Sequence, residues 1–328
     1  MGFVLSQRML FIKLQRNIGT VISVVVTALC TFALCNLWTS NLSHHSNDHR
    51  AERSVTKKDA FMVVTVLTGP RYFEQRDAIR QTWLSEKDPE LLSYFVVGVK
   101  GLHLDELGAL YHENSEHGDM LLLPDLRDAY ENLTTKVIHT FKWVDENVNF
   151  QYLLKADDDT YARMDILLQE LRAKKQQRLY WGFFDGRAKV KTRGQWAEKK
   201  FKLCEHYLPH ARGGGYILSA DLVHYIAENS QYLQRFNSED ISVGTWLAPL
   251  DITRLHDPRF DTEYMSRGCL NEYIVTHKQN VERLRNLHKN LKTSNKLCSK
   301  EYKVKNSYIY NWDVPPSLCC LRNDSRVP

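Results

Sequence analysis

Apolar positions fall into short continuous runs, separated by longer stretches in which they recur every three or four residues. This is the pattern of buried strands alternating with amphipathic helices. Residues 61–67 (Phe61, Met62, Val63, Val64, Thr65, Val66, Leu67) are an unbroken run closed by Thr68, Gly69 and Pro70, as in a strand covered on both faces. Tyr72, Arg76, Ile79 and Trp83 then recur at helical spacing. Residues 94–99 and 120–123 read as two further buried strands. Leu133, Val137, Phe141 and Val144 form one stripe on a helix over residues 131–146, and residues 152–154 are a fourth strand running into Asp157, Asp158 and Asp159. Met164, Leu167, Leu168 and Leu171 mark the helix after it. The alternation predicts βαβ units and an α/β fold with a mainly parallel central sheet flanked by helices. Ligands of open sheets gather beyond the carboxyl ends of the strands. Thr68-Gly69, Pro124-Asp125 and the aspartate triplet all fall at such ends.

The N-terminus follows a different pattern. Residues 18–38 carry no charge, enough for one bilayer crossing as a helix. Arg8, Lys13 and Arg16 precede the stretch, and no acid appears before Asp48. The positive-inside tendency then predicts a single-pass type II protein: a cytoplasmic tail over 1–17, a transmembrane signal-anchor over 18–38, a polar luminal stem over 39–58 and a luminal catalytic domain over 59–328. A cleaved signal peptide is the rival, but the apolar stretch is long and its end, Asn36-Leu37-Trp38, is a poor cleavage site.

Composition narrows the class. The chain has 328 residues, 43% of them hydrophobic, which excludes disorder and leaves room for one large domain. A net charge of +5 gives no case for nucleic acid. Cys204, Cys269, Cys298, Cys319 and Cys320 lie beyond the apolar segment, where an oxidising lumen sustains disulfides. Five is odd, so one thiol is left over, and the adjacent Cys319 and Cys320 are expected to pair elsewhere rather than with each other. Asn41, Asn132 and Asn323 open glycosylation sequons.

The sharpest chemical feature is the triplet. Three adjacent carboxylates at the end of a buried strand repel one another unless a cation neutralises them, and hard oxygen ligands suit Mn²⁺ or Mg²⁺. The rival is a solvated acidic turn in which Asp159 or Thr160 caps the next helix. Glu239 and Asp240 offer a carboxylate able to accept a proton from a hydroxyl; alternatively, both acids simply favour the positive end of a helix capped by Ser238. Gly213, Gly214 and Gly215 before Tyr216 permit close backbone approach to a ligand, or merely a turn. Trp181 and Trp196 are candidates to stack on sugar rings, or core residues. His277 is a metal-ligand candidate beside a structural alternative. The basic stretch 278–305 is a solvated helix face, or a surface for an anionic acceptor protein.

Taken together these residues resemble the β1,3-galactosyltransferase/β1,3-N-acetylglucosaminyltransferase family, glycosyltransferase family 31. The resemblance covers nearly all of residues 60–280. Its motifs stand in order: residues 76–83 (RDAIRQTW), residues 128–136 (DAYENLTTK), Lys155-Ala156-Asp157-Asp158-Asp159, the Gly-Gly-Tyr run, and Glu239-Asp240. It implies a GT-A fold, UDP-galactose as donor and Mn²⁺ as the metal. Asp159 and His277 would hold the metal, with Asp157 and Asp158 near the ribose and phosphates. Arg80, Arg76 and Lys136 would face the diphosphate, with Thr68 beside them on the donor side. Trp181, Gly214, Gly215, Tyr216 and Glu239 would lie toward the acceptor. Asp240 would be the base of an inverting reaction that leaves a β1,3 bond.

Residues 122–132, 180–184 and 256–264, with the terminal Cys319-Cys320, are most similar to the branch that extends the xylose-galactose linker of proteoglycans. That branch implies core proteins carrying galactosyl-β1,4-xylose as partners and the Golgi membrane as the location. Two positions depart from the wider family: Ser242 stands where most members have an aromatic, and Ala211-Arg212 where many have a cysteine. The residues alone do not distinguish galactose from N-acetylglucosamine. A catalytically silent luminal lectin or helper is the non-enzymatic rival; loss of a motif acid would mark it, and none is lost.

Overall fold

The continuous apolar runs become the centre of a seven-stranded sheet. The computed structural model describes residues 30–32 and 57–322, apart from Lys87, Gln195 and Trp196. The cytoplasmic tail, nearly all of the membrane and stem segments, Asn41, Asn323 and Trp196 therefore lie outside the described residues. Among the described residues no helix is long and apolar enough to cross a membrane. The chain divides into Met1–Thr56, of which only the helical residues 30–32 are described, and Lys57–Pro328.

In the second unit the strands that matter here are β1 (Met62–Leu67), β2 (Leu91–Gly98), β3 (Met120–Leu123), β4 (Tyr152–Asp157), β5 (Tyr161–Ala162), β6 (Leu179–Gly182), β7 (Gly215–Ser219), β8 (Thr253–His256), β9 (Phe260–Asp261) and β10 (Val275–Thr276). The helices are α1 (Phe73–Gln81), α2 (Leu104–His117), α3 (Leu133–Asn147), α4 (Met164–Lys174), α5 (Ala220–Glu228), α6 (Glu239–Leu247) and α7 (Val281–Ser294). The main sheet runs β8-β6-β7-β4-β1-β2-β3. Strands β3, β2, β1 and β4 are mutually parallel. Only β7 runs against its neighbours, β4 and β6, while β8 is parallel to β6. This is the expected mixed α/β, mostly parallel architecture. Every residue of β1, β6 and β7 is buried, because helices cover both faces.

The helical stripes at 73–81, 133–147 and 164–174 form where the periodicity placed them, the second preceded by a 3₁₀ turn, Tyr130–Asn132. Helix α2 was not legible, since Leu110 is its only buried apolar residue. It closes on Gly118 at φ 67°, a left-handed cap natural to glycine.

A second, three-stranded sheet, β9-β10-β5, matters more for chemistry than its two-residue strands suggest. Thr276 of β10 pairs with Tyr161 of β5. That register carries the residues after β10 back beside the turn after β4, where the Gln279 amide donates to the carbonyl of Asp159 at 2.8 Å.

Cys269 bonds Cys298, and Cys319 bonds Cys320, which corrects the expectation that the neighbouring pair would not bond each other. Cys319 and Cys320 are buried near the end of the chain, and Cys204 is an exposed free thiol.

Candidate active site

The site begins where β4 ends. Asp157 lies opposite Leu67, the last residue of β1, so the triplet and Thr68 share one edge of the sheet. Thr68 Oγ1 donates to Asp158 Oδ2 at 2.7 Å. Burial, reinforced by Asp157 and Asp159, pushes the Asp158 carboxyl up to about 6 against that bond. Lys136, deeply buried, donates to the Thr68 carbonyl and to Asp128 Oδ2, each at 2.6 Å. Burial pulls its ammonium below the ordinary value, although Asp128 opposes this.

Asp157, Asp159 and His277 converge with ligand atoms all within 4.8 Å of one another. His277 Nε2 is 2.9 Å from Asp159 Oδ1 and 3.5 Å from Asp157 Oδ2. Burial raises the Asp159 carboxyl, but His277 and Lys278 outweigh it and leave the group below its usual range. At the centre, Asp159 Oδ1 and His277 Nε2 face each other with no further hydrogen-bond partner. Two carboxylates with one imidazole form a donor set suited to Mn²⁺. The residues therefore fit the metal the sequence implied. The carbonyl of Glu263, 3.4 Å from His277 Nδ1, fixes the other side of the ring.

The glycine run serves this cluster directly. A Cβ on Gly214 would lie 2.5 Å from His277 Cγ, and one on Gly215 3.0 Å from a Val275 methyl. The glycines admit the imidazole and its strand, not an acceptor. Gly213 faces the other way: its amide donates to Asp240 Oδ2 at 3.0 Å.

Lys155, which carried no role in the sequence reading, is the hub between the two halves. Its buried ammonium reaches Asp157 Oδ1 at 2.7 Å, Glu239 Oε1 at 2.5 Å and the Gly213 carbonyl at 2.5 Å. Burial opposes its charge, but Asp157 and Glu239 more than offset this and raise its pKa. The available signal was a lysine in an apolar strand two residues before Asp157, hence on the same face.

The structure separates the two acids at the start of α6. Glu239 is buried, bound to Lys155 and to the Tyr216 hydroxyl at 2.8 Å; burial pushes it up to about 7. Asp240 is half-buried, with Oδ1 accepting from the Ile241 amide at 2.8 Å and Oδ2 from Gly213. Of the pair, Asp240 is the one with access to solvent. Tyr130 completes this wall: its hydroxyl bonds Ser238, and burial lifts it to about 12.

Several candidates lie elsewhere. Trp181 and Tyr216 are fully buried on interior strands β6 and β7. Trp181 Nε1 donates to Asp257 Oδ2 at 3.1 Å. Neither can stack on a sugar, because both faces of those strands are packed. Glu239 is likewise internal rather than acceptor-facing. Arg76 is held by Glu113 at 2.6 Å and by the Gly69 carbonyl at 2.7 Å. Arg80 is held by Asp119 and Glu113, each at 2.8 Å. Both guanidiniums are committed to carboxylates, and Arg76 also reaches the Gly69 carbonyl beside Thr68. Asn132 is half-buried at the start of α3, its amide donating to the Arg127 carbonyl at 3.0 Å.

Comparison with known proteins shows the family of the chain. A family model described as Galactosyltransferase matches residues 74–258. Beta-1,3-galactosyltransferase 6 of Mus musculus is 52% identical over 272 residues, covering 81% of this chain and 84% of the relative. UDP-GalNAc:beta-1,3-N-acetylgalactosaminyltransferase 2 of Danio rerio is 32% identical across 54% of this chain and 35% of its own length. Hydroxyproline O-galactosyltransferase GALT2 of Arabidopsis thaliana is 28% identical across 71% of this chain and 35% of its own length.

Proposed function

This chain belongs to the galactosyltransferase family, and from that premise we propose that it is an inverting, Mn²⁺-dependent β1,3-galactosyltransferase. Its donor is UDP-galactose and its acceptor the galactosyl-β1,4-xylose linker on proteoglycan core proteins. It works in the Golgi membrane as a type II protein, and its product is the start of heparan and chondroitin sulfate chains. The observation that carries this reading is the Asp157–Asp159–His277 cluster joined through Lys155 and Gly213 to the solvent-accessible Asp240. Identity of 52% to a β1,3-galactosyltransferase favours galactose over other sugars.

In this reading Asp159 and His277, with Asp157 beside them, hold the metal, which when bound offsets the charge of the departing diphosphate. Asp240 accepts the proton of the acceptor 3-hydroxyl. The freed oxygen attacks the anomeric carbon opposite the α-linked diphosphate, that carbon–oxygen bond breaks with its electrons leaving on UDP, and a β1,3 bond results. Gly213 and Ile241 amides hold the Asp240 carboxylate in place while it does so. Lys155 sets its charge against Asp157 and Glu239, leaving Asp240 as the partly exposed acid of the pair that opens α6.

The test is full-length protein in detergent, supplied with MnCl₂, a galactosyl-β1,4-xyloside and either UDP-galactose or UDP-N-acetylglucosamine. Galactose transfer through a β1,3 bond is expected; its absence rejects the assignment. Asp240→Asn is expected to retain Mn²⁺-dependent UDP binding while kcat falls by roughly 10²–10⁴, the scale of a lost general base. Near-normal turnover would exclude Asp240 as the base.

A further inference from the structure

A nucleoside diphosphate brings two to three negative charges, yet the cations expected to meet it are already engaged. Arg76 and Arg80 are bound to Glu113 and Asp119, and Lys136 to Asp128. Lys155 lies beneath the turn, held by Asp157 and Glu239. One cation beside the cluster differs from these. Lys278 Nζ is 3.1 Å from Asp159 Oδ2, and its side chain remains 45% exposed.

We propose that Lys278 is an exchange cation of this site. In the metal-free enzyme it neutralises Asp159; when a divalent cation takes that place, its ammonium turns to the phosphates of the bound nucleotide. The inference rests on the donor-site reading above and adds to it the group that answers the diphosphate from the protein side.

Three features support it. Asp159 divides its two oxygens: Oδ1 faces His277 Nε2 at 2.9 Å inside the cluster, and Oδ2 is occupied by Lys278. The charge the metal must supply is thus partly provided by a lysine on an exposed arm. Secondly, the backbone of Lys278 is held in the left-handed region at φ 64°, a conformation unfavourable to a non-glycine residue and kept only where its surroundings dictate it. Those surroundings are visible on both sides: Gln279 donates its amide to the Asp159 carbonyl at 2.8 Å and its side chain to the His277 carbonyl at 2.8 Å. The main chain is pinned to the metal-ligand turn, while the half-exposed side chain reaches Asp159 Oδ2. Thirdly, the side chain has open space beside it. Lys278 lines an open cavity of about 580 Å³ with Tyr264, Met265 and Arg283, and Arg283 is itself held by the Tyr302 hydroxyl at 2.7 Å.

The exchange makes two affinities move in opposite directions, which a merely structural lysine would not do. Isothermal titration with Mn²⁺ alone, then with UDP at saturating Mn²⁺, reads both. Lys278→Met is expected to bind Mn²⁺ severalfold more tightly, because the competing ammonium is gone. The same variant is expected to bind UDP about tenfold more weakly, the scale of one charged contact. Lys278→Arg should hold UDP near the wild-type affinity. Lys278→Gly, relieved of the backbone strain, should give the same two shifts with an unchanged or higher melting temperature. A Lys278→Met protein with unaltered UDP affinity, or with both affinities reduced, overturns the proposal while leaving the donor site intact. Wild-type protein that binds no UDP in Mn²⁺ overturns the donor site itself.

Discussion

At the scale of single residues, the site is built from small accommodations around His277. Gly214 is the tightest of them. Its missing Cβ is occupied by the imidazole, so Gly214→Ala must push His277 off Asp159. Mn²⁺ affinity is expected to fall about 10–100-fold, the usual cost of disturbing a ligand's support, with the fold retained; titration of Mn²⁺ against intrinsic fluorescence or calorimetry would measure it, and unchanged affinity would mean that His277 is no ligand. The triplet stood out in the sequence because three carboxylates at the end of a buried strand repel one another, whereas His277 carried a structural alternative and came forward only through the family resemblance. Lys155 did not stand out. A lysine inside a buried run reads as a surface position, and only the three-dimensional meeting of Asp157, Glu239 and Gly213 around it explains why its charge survives burial. Trp181 and Tyr216 failed in the opposite sense. Aromatic identity says nothing about which strands are interior, and theirs are.

At the scale of elements, the acids that open α6 show how packing gives two neighbours different chemistry. Glu239 turns inward to Lys155 and Tyr216, and Asp240 outward beside Gly213. Burial raises the folded-state pKa of Glu239 to about 7, above its ordinary value of 4.5. A raised acid contributes stability that is complete below the unfolded pKa and is lost as pH climbs through the folded one. Glu239 therefore makes the metal-free protein lose stability between pH 4.5 and about 7, by on the order of 1–3 kcal/mol. Chemical denaturation at pH 5 and pH 7.5 should show the decline in the wild type and a smaller one in Glu239→Gln. An equal slope in both would place the titration elsewhere. Continuous apolar runs found β1, β2, β3 and β4, and helical stripes found α1, α3 and α4. Neither pattern could find β5, β9 and β10. Two residues carry no period, and those short strands exist through pairing between distant segments.

At the scale of the whole molecule, the candidate metal cluster joins two parts of the chain that the main sheet does not connect. Asp157 and Asp159 come from its central strand; His277 and Lys278 come from a C-terminal segment held by β10 and by the Cys269–Cys298 bridge. That bridge spans 29 residues of sequence and encloses β10, His277, Lys278 and α7. Closing a loop of this length stabilises the folded state by about 3–4 kcal/mol through the unfolded chain. The bond between Cys319 and Cys320, adjacent in sequence, encloses no loop and contributes nothing by that route. The two bridges therefore predict unequal losses. Cys269→Ala/Cys298→Ala should lower the melting temperature by about 5–10 °C. Because the freed segment carries His277, Mn²⁺-dependent UDP binding should disappear at a temperature where far-ultraviolet dichroism still reports an intact sheet. Cys319→Ala/Cys320→Ala should shift the melting temperature less and leave that binding coupled to global unfolding. Equal shifts for the two pairs, or UDP binding that survives to the global melt in the first, would show that β10 and its neighbours hold His277 without the bridge. In that case the metal site would belong to the sheet alone.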